Sequence, residues 1–399
     1  ASPRRAAVMG PVLVALHRVG PYHHARFQAA AEALQQPLLV LQTRPQSQEY
    51  PWSFAVDRAS YTLMSLEGGL SPEQDPPLAA IKRQLHALLD QFCPEVLVSV
   101  GWADRAYMQL LFMAQQRSVP LVVVSDSRSQ DSVRTPMREW LKRCLLRGYS
   151  AGLVAGTQSR DYLEQLGMRP EAICQPWDVV DNQRFSQMAA EAALDGPPLS
   201  ERPFLCVGRF IAEKNHALLI QAYGRYQQTG GTRPLLLVGH GPLEQEVRAA
   251  CSQLLRPMSV TLAPFVQLEQ LGHYYGQSHA LVLPSAKDTW GLVVNEAMAA
   301  GLPVIVSRAC GCAQDLLGNG EGWCFPSGDP DALADCLHQV DGQVAAARQQ
   351  MVGAARQRLE SFSPEAFAQS FVNSCEYART HPCWSVRSQL MAAILRGVC

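Results

Sequence analysis

The sequence predicts an α/β protein built as two doubly wound parallel-sheet domains. Three observations carry that prediction. Short runs rich in Val and Leu recur through both halves of the chain with helical stretches between most of them, the alternation that gives parallel sheets covered on both faces. The chain has 399 residues, about two domains by length. Turn formers cluster near the middle, in Leu194-Asp-Gly-Pro-Pro-Leu-Ser200, just before a new apolar run.

In the first half, strands are expected at 11–16, 37–42, 95–101, 120–125 and 151–155, and helices at 23–35, 77–91, 104–116 and 134–148. The stretch 43–76, with Pro45, Pro51 and Gly68-Gly69, has no clear period and reads as loop. In the second half, strands are expected at 204–207, 235–238, 260–262, 280–283 and 303–306, with closing helices at 364–378 and 384–396. The expected domains are therefore 1–190 and 200–378.

Composition narrows the function classes. Hydrophobic residues make up 47% of the chain, enough for two cores, and the net charge of −1 argues against general nucleic-acid binding. The twelve cysteines are scattered; Cys310-Gly-Cys312 is the only close pair and no zinc spacing occurs, which reads as reduced, mostly buried thiols in a cytoplasmic protein. Arg4-Arg5 followed by Ala6 to Leu16 mimics an export signal. Gly10-Pro11 interrupts the apolar run, no A-x-A site follows and His17-Arg18 come directly after, so 12–16 reads as the first strand. No stretch reaches the roughly 18 apolar residues that span a bilayer.

The segment 284–303, Pro-Ser-Ala-Lys-Asp-Thr-Trp-Gly-Leu-Val-Val-Asn-Glu-Ala-Met-Ala-Ala-Gly-Leu-Pro, carries the chemistry. A strand ends near Pro284, a turn containing Gly291 follows, and an Ala-rich helix runs to Gly301. Amides at such a helix start bind anions. Asp288 on the turn and Glu296, placed about two turns into the helix, can meet one polyhydroxylated ligand. That pairing suits a nucleotide sugar, whereas an isolated D-x7-E is more often a capped turn with two solvated acids. Arg209, Lys214, Gly239, Asp288 and Gly291 all fall just after expected strand ends, where parallel sheets bind ligands. Two fixed cations, Arg209 and Lys214, suit a departing diphosphate because they stabilise the charge that builds as a sugar–oxygen bond breaks. No D-x-D metal motif stands near an expected strand end, and the two cations can take a metal's place, so no metal is expected; no resident cofactor is expected either.

Together, G-R-x4-K at 208–214, G-x-G-P-L at 239–243 and D-x7-E running into E-A-M-A-A-G-L-P-V at 296–304 resemble the retaining glycosyltransferases of family 4. The resemblance is strong over 200–330 and continuous but weaker over 10–185. It implies the GT-B architecture, two Rossmann-like domains facing a central cleft, with the terminal helix near 380–399 packing back on the first domain. It also implies a nucleoside-diphosphate sugar as co-substrate, retention of anomeric configuration and no metal. By resemblance, Arg209 and Lys214 hold the donor diphosphate, Gly208 and Gly239 line the donor site, and Glu296 bonds the ribose hydroxyls. Asp288 takes the place of the usual Glu that meets the sugar's ring hydroxyls; it is one methylene shorter, so the sugar sits closer or a water bridges. Thr289 and the amides of Trp290, Gly291 and Leu292 should face sugar or phosphate, and the Trp290 side chain fits a core equally well. Phe265-Val266 are expected to flank the base.

In the first domain, Gly20 lies where relatives let the backbone approach donor phosphates or acceptor, before a helix whose positive end faces the same way. His23, His24 and Arg26 are candidate acceptor contacts. Asp126 stands where many relatives carry a His, in patterns like P-V-V-V-T-V-H; it suits a catalytic contact to the acceptor hydroxyl or a plain turn cap. The basic segment 134–147 pairs Arg138 with Lys142 and Arg143 with Arg147 beside Trp140, Leu141, Cys144 and Leu145. Three readings compete there: a solvated helix face, a peripheral contact with an anionic membrane on its inner face, and a site for an anionic acceptor. The acceptor class stays open among small molecules, glycans and lipid-linked sugars. A non-catalytic nucleotide-sugar binder and a nucleotide-sugar epimerase are the competing function classes.

Overall fold

The Val- and Leu-rich runs pair side by side into two all-parallel sheets. The computed structural model describes residues 9–44, 54–56, 58–67, 77–102 and 104–395. Pro45, Pro51, Gly68-Gly69 and the flank before Met9 lie outside them. The first half contributes β1 (Val12–Leu16), α1 (Pro21–Ala33), β2 (Leu38–Gln42), β3 (Thr62–Ser65), α2 (Leu78–Phe92), β4 (Val96–Val100), α3 (Arg105–Arg117), β5 (Leu121–Ser125), α4 (Pro136–Leu146), β6 (Ala151–Val154), α5 (Thr157–Gln165) and β7 (Ile173–Cys174). Their sheet order is β3-β2-β1-β4-β5-β6-β7. The order reverses between β1 and β4, the switch point at which such sheets open a ligand crevice. Val12, Val14, Val98 and Val122 are wholly buried, as strands covered on both faces require.

The second half contributes α6 (Asn182–Leu194), β8 (Phe204–Val207), α7 (His216–Gln228), β9 (Leu235–Val238), α8 (Glu244–Ser252), β10 (Val260–Ala263), α9 (Leu268–Gly276), β11 (Ala280–Leu283), α10 (Leu292–Ala299), β12 (Val304–Ser307), α11 (Cys312–Leu316), β13 (Trp323–Phe325), α12 (Pro330–Asp341) and α13 (Ala345–Glu360). Its sheet order is β10-β9-β8-β11-β12-β13, so the switch point lies between β8 and β11. Two helices close the chain, α14 (Pro364–Thr380) and α15 (Val386–Leu395).

The two compact units do not divide where the turn formers cluster. One runs to Asp178 and resumes at Pro364; the other is Val179–Ser363. Helix α6, expected in the first domain, packs on α9 and α10 of the second unit. Helix α14, expected in the second domain, packs on α1 and on β5, β6 and β7 of the first, and α15 follows it there against α3 and α4. The Leu194–Ser200 turn is thus a loop inside the second unit. The stretch read as loop also holds a strand: β3 adds to the sheet edge beside β2.

Aromatic packing fixes α14 to the first unit. Phe367 is fully buried, with its ring 5.6 Å from Trp177 and 5.8 Å from Phe371. Phe367→Ala should cost about 3–5 kcal/mol. Chemical denaturation followed by hydrogen exchange will check this: the loss is expected in the first unit, and protection lost only in 179–363 would contradict the assignment.

Burial also sets an acid limit on the second unit. His216 opens α7 with its ring edge-on to Phe210 at 4.8 Å. Burial, then the nearby Lys214 charge, lowers its pKa from 6.5 to about 4. The unfolded chain therefore takes up this proton first. Stability is full above pH 6.5 and falls as pH drops from 6.5 toward 4, by roughly 3 kcal/mol for this one ring. Denaturation midpoints measured across that range should show the slope, and His216→Met should make it shallower, leaving the part due to His279, which burial also lowers to about 4.

Candidate functional site

At the switch point of the second unit, two strand-end turns are locked together. β8 runs into Gly208-Arg209 and a short 3-10 turn that ends at Lys214. The Glu213 carbonyl accepts from the Ala286 amide at 2.8 Å and the Lys287 amide at 3.3 Å, joining this turn to the one after β11. The side chains complete the joint: Lys214 Nζ donates to Asp288 Oδ2 at 2.5 Å, with side-chain exposures of 24% and 11%. Ser285 Oγ lies 3.5 Å from the same carboxylate oxygen. Arg209 stands half-buried on the same strand end.

Backbone approach explains two of the glycines. A Cβ on Gly239 would lie 1.9 Å from the Gly208 carbonyl oxygen, so any side chain there would drive apart the ends of β8 and β9. Gly291 caps α10 at φ 102°, a left-handed geometry that costs a side-chain-bearing residue energy. A Cβ there would also meet Leu283 Cδ2 at 2.9 Å. After this cap the Leu292 and Val293 amides lie outside the helix's own bonding and form an anion-seeking end, while the Val294 amide donates to the Gly291 carbonyl at 2.9 Å. The turn is braced from behind, since the Gly311 amide donates to the Asp288 carbonyl and the Cys312 amide to the Trp290 carbonyl, both at 3.0 Å. Thr289 is half-buried in it.

Two residues of this segment have partners that the sequence did not reveal. The Trp290 side chain belongs to the core: Nε1 donates to Asn295 Oδ1 at 2.9 Å, and the ring lies 5.5 Å from that of Phe362. Glu296 stands five residues into α10, little more than one turn rather than two, and is 1% exposed. Tyr275 Oη, on α9, donates to its Oε2 at 2.6 Å and fixes the carboxylate's orientation. Phe265 lies 5.6 Å ring to ring from His240, beside the Gly239 turn.

The candidates of the first unit are built more deeply into packing. The Gly20 amide donates to His23 Nδ1 at 3.3 Å at the start of α1. Burial, reinforced by Arg26, lowers the His23 pKa to about 3, so its imidazole is neutral at pH 7. His24 Nδ1 lies 2.9 Å from Tyr61 Oη, and its ring also meets Phe54. Arg26 is 2% exposed; it pairs with Asp178 Oδ1 at 3.1 Å and lies 5.2 Å from the Trp177 ring centre. Asp126 is exposed directly after β5, with its carbonyl accepting from Ser159 Oγ at 2.9 Å.

A cluster at the first unit's switch point escaped the sequence reading. Asp104 caps α3, accepting from the Ala106 amide at 2.7 Å. His17, just past β1, brings Nε2 to 3.2 Å from Asp104 Oδ2, and an Arg44 nitrogen approaches the same oxygen at 2.7 Å. Burial opposes ionisation of Asp104, but the bonds from His17 and the Ala106 amide, with the Arg44 charge, hold its carboxyl below the usual range. His17 stacks on Tyr107 yet stays half exposed. The available signal was position: His17 follows one switch-point strand and Asp104 follows the other.

Among the described residues no group of three or more His, Cys, Asp or Glu is placed to hold a metal ion, and no helix is long and apolar enough to cross a membrane.

Comparison with known proteins agrees with this layout. The family described as "Glycosyl transferases group 1" matches residues 195–358, and "Glycosyl transferase 4-like domain" matches 12–175. The chain is 31% identical over 163 residues to the amylovoran biosynthesis glycosyltransferase AmsK of Erwinia amylovora, covering 39% of this chain and 40% of that one. Matches of this kind span about two-fifths of the relatives' length. Among solved structures, the sucrose-phosphate synthase of Thermosynechococcus elongatus superposes with a TM-score of 0.69 at 18% identity, covering 91% of this chain and 97% of that one. HepE of Anabaena in complex with UDP superposes with a TM-score of 0.71 at 14% identity, covering 92% and 100%. Two parallel-sheet units of this topology, matched in turn by both family models, place the chain in the group 1 glycosyltransferases of the GT-B fold.

Proposed function

We propose that this chain moves a sugar from a nucleoside-diphosphate sugar to an acceptor hydroxyl, with retention at the anomeric carbon and without a metal. The observation that carries the proposal is the lysine held at the β8–β11 switch point. Lys214 is fixed by Asp288, Arg209 shares its strand end, and the start of α10 adds amide donors. A pyrophosphate placed there meets two cations and a helix start, the set that stabilises a departing diphosphate. Glu296, oriented by Tyr275, suits the ribose hydroxyls. That HepE was solved with UDP, and again with UDP and glucose, supports a nucleoside diphosphate as the ligand class.

The acceptor oxygen attacks the anomeric carbon on the face that the diphosphate leaves. The bond from that carbon to the phosphate oxygen breaks, its electron pair stays on the diphosphate, and a phosphate oxygen takes the acceptor's proton. Donor binding engages Lys214 while Asp288 is within 2.5 Å of it. The same carboxylate therefore positions the ammonium and meets a sugar hydroxyl. The acceptor is assigned to the first unit, where Asp126 and His17 are the exposed polar groups just past β5 and β1.

Lys214→Ala should lower turnover at least a hundredfold, about 3 kcal/mol of transition-state stabilisation, and, because it leaves Asp288 without its partner, it should also lower the melting temperature while the chain still folds. Near-normal transfer by this variant would refute the role. A thermal-shift screen of UDP, GDP and ADP should single out one base, and Glu296→Gln should reduce that shift. Turnover should persist in a chelator. Products should keep the donor's anomeric configuration, whereas an altered ring stereocentre would identify an epimerase. Donor binding without turnover across an acceptor panel would identify a binding protein.

A further inference from the structure

The first unit carries an apolar and basic face that the transfer chemistry does not use. On α4, Met137 and Trp140 are each more than half exposed; on α15, so are Val386, Leu390 and Ile394. The three α15 residues recur every four positions, one stripe along the helix. The opposite side of α15 is anchored: Ser388 and Ala392 are fully buried, and Ser388 Oγ donates to the Leu145 carbonyl of α4 at 3.0 Å. The two helices therefore pack together through their inner sides, and each leaves an apolar edge outside.

Where α4 ends and the chain enters α15, a cavity of about 490 Å³ opens, lined by Arg143, Arg147, Arg169 and His381. Its apolar lining includes Leu146, Leu166 and Met168, and no carboxylate lines it among the described residues. Glu171, outside the lining, lies 3.7 Å from Arg169, which still keeps most of its side chain in solvent. Arg143 also donates to the Gln165 carbonyl, which steadies its guanidinium at the rim. The cavity lies before β6 and β7, at the end of the sheet opposite the strand termini that bind ligands in this fold.

Charge decides which kind of partner fits. The whole chain has a net charge of −1, yet residues 132–151 contain Arg134, Arg138, Lys142, Arg143 and Arg147 against one acid, Glu139. That acid is already engaged by Lys142 and Tyr162. Helix α15 contains no acid at all. Exposed Leu, Ile and Trp beside arginines form the pattern of a helix lying in a bilayer interface, and Trp favours the headgroup level. We propose that α4, α15 and the cavity at their junction dock on an anionic lipid surface, with a headgroup phosphate seated among Arg143, Arg147 and Arg169. This goes beyond sugar transfer and does not depend on it.

Co-sedimentation of the full chain with phosphatidylcholine vesicles, with and without phosphatidylglycerol, tests the proposal. Binding is expected to the anionic vesicles and to weaken with salt. Trp140→Ser with Leu390→Ser should reduce it at least tenfold. Arg143→Gln with Arg147→Gln should reduce it about fivefold per charge. All these positions are exposed, so each variant should keep the parent's melting temperature and its shift with nucleoside diphosphate. The proposal fails if the parent stays in solution with both vesicles, or if it binds neutral vesicles equally well. It also fails if the variants bind undiminished. Stabilisation by glycerol phosphate without vesicle binding would instead make the cavity a soluble-anion site. A dimer abolished by Leu390→Ser, again without vesicle binding, would make the face a self-association surface.

Discussion

The contact between Lys214 and Asp288 organises the second unit's site. These residues are 74 positions apart in sequence, and each stands on the turn after one switch-point strand. The ion pair therefore ties together the turns that follow two strands already paired in the sheet, β8 and β11. The Glu213 carbonyl, shared by the amides of Ala286 and Lys287, holds the same joint through the backbone. Because both charges are mostly shielded from water, their attraction is screened less than that of a surface pair. The ammonium is thus held in place before any ligand arrives.

Other features of this unit follow from keeping that joint tight. Gly239 brings β9's turn against the Gly208 carbonyl, where a side chain has no room, and Gly291 turns the chain from Asp288 directly into α10. Trp290 then packs inward on Asn295 and Phe362, leaving the backbone at the helix start for a ligand. Tyr275 reaches from α9 to hold Glu296, so that the buried carboxylate has a partner. Lys214, Asp288 and the start of α10 are held by turns at two strand ends, with Glu296 on the helix that follows.

Much of this was legible in the sequence because the strands are buried on both faces and so appear as unbroken apolar runs. The strands that escaped are those lacking that signature. β3 is largely exposed at a sheet edge, β7 is two residues long, and β13 is three residues with only Phe325 buried. The unit boundary escaped for the opposite reason. The chain first passes between units through Trp177, Asp178 and Val179, a buried segment with only Pro176 beside it, and returns at Ser363–Pro364, whereas the denser Pro-Gly cluster at 194–200 is an internal loop.

The layout of the candidate site was legible where its residues follow strands in sequence, as Arg209, Lys214 and Asp288 do. It was not where partners come from separate helices: nothing in the sequence joins Tyr275 to Glu296 or His17 to Asp104. Arg26, expected as an acceptor contact, has a buried partner in Asp178 that the sequence likewise does not reveal. The most direct test of the central claim is a crystal soaked with the nucleoside-diphosphate sugar that gives the largest thermal shift. The account predicts its pyrophosphate within hydrogen-bonding distance of Arg209 and Lys214 and its ribose at Glu296; a pyrophosphate bound away from the β8 and β11 turns would contradict it.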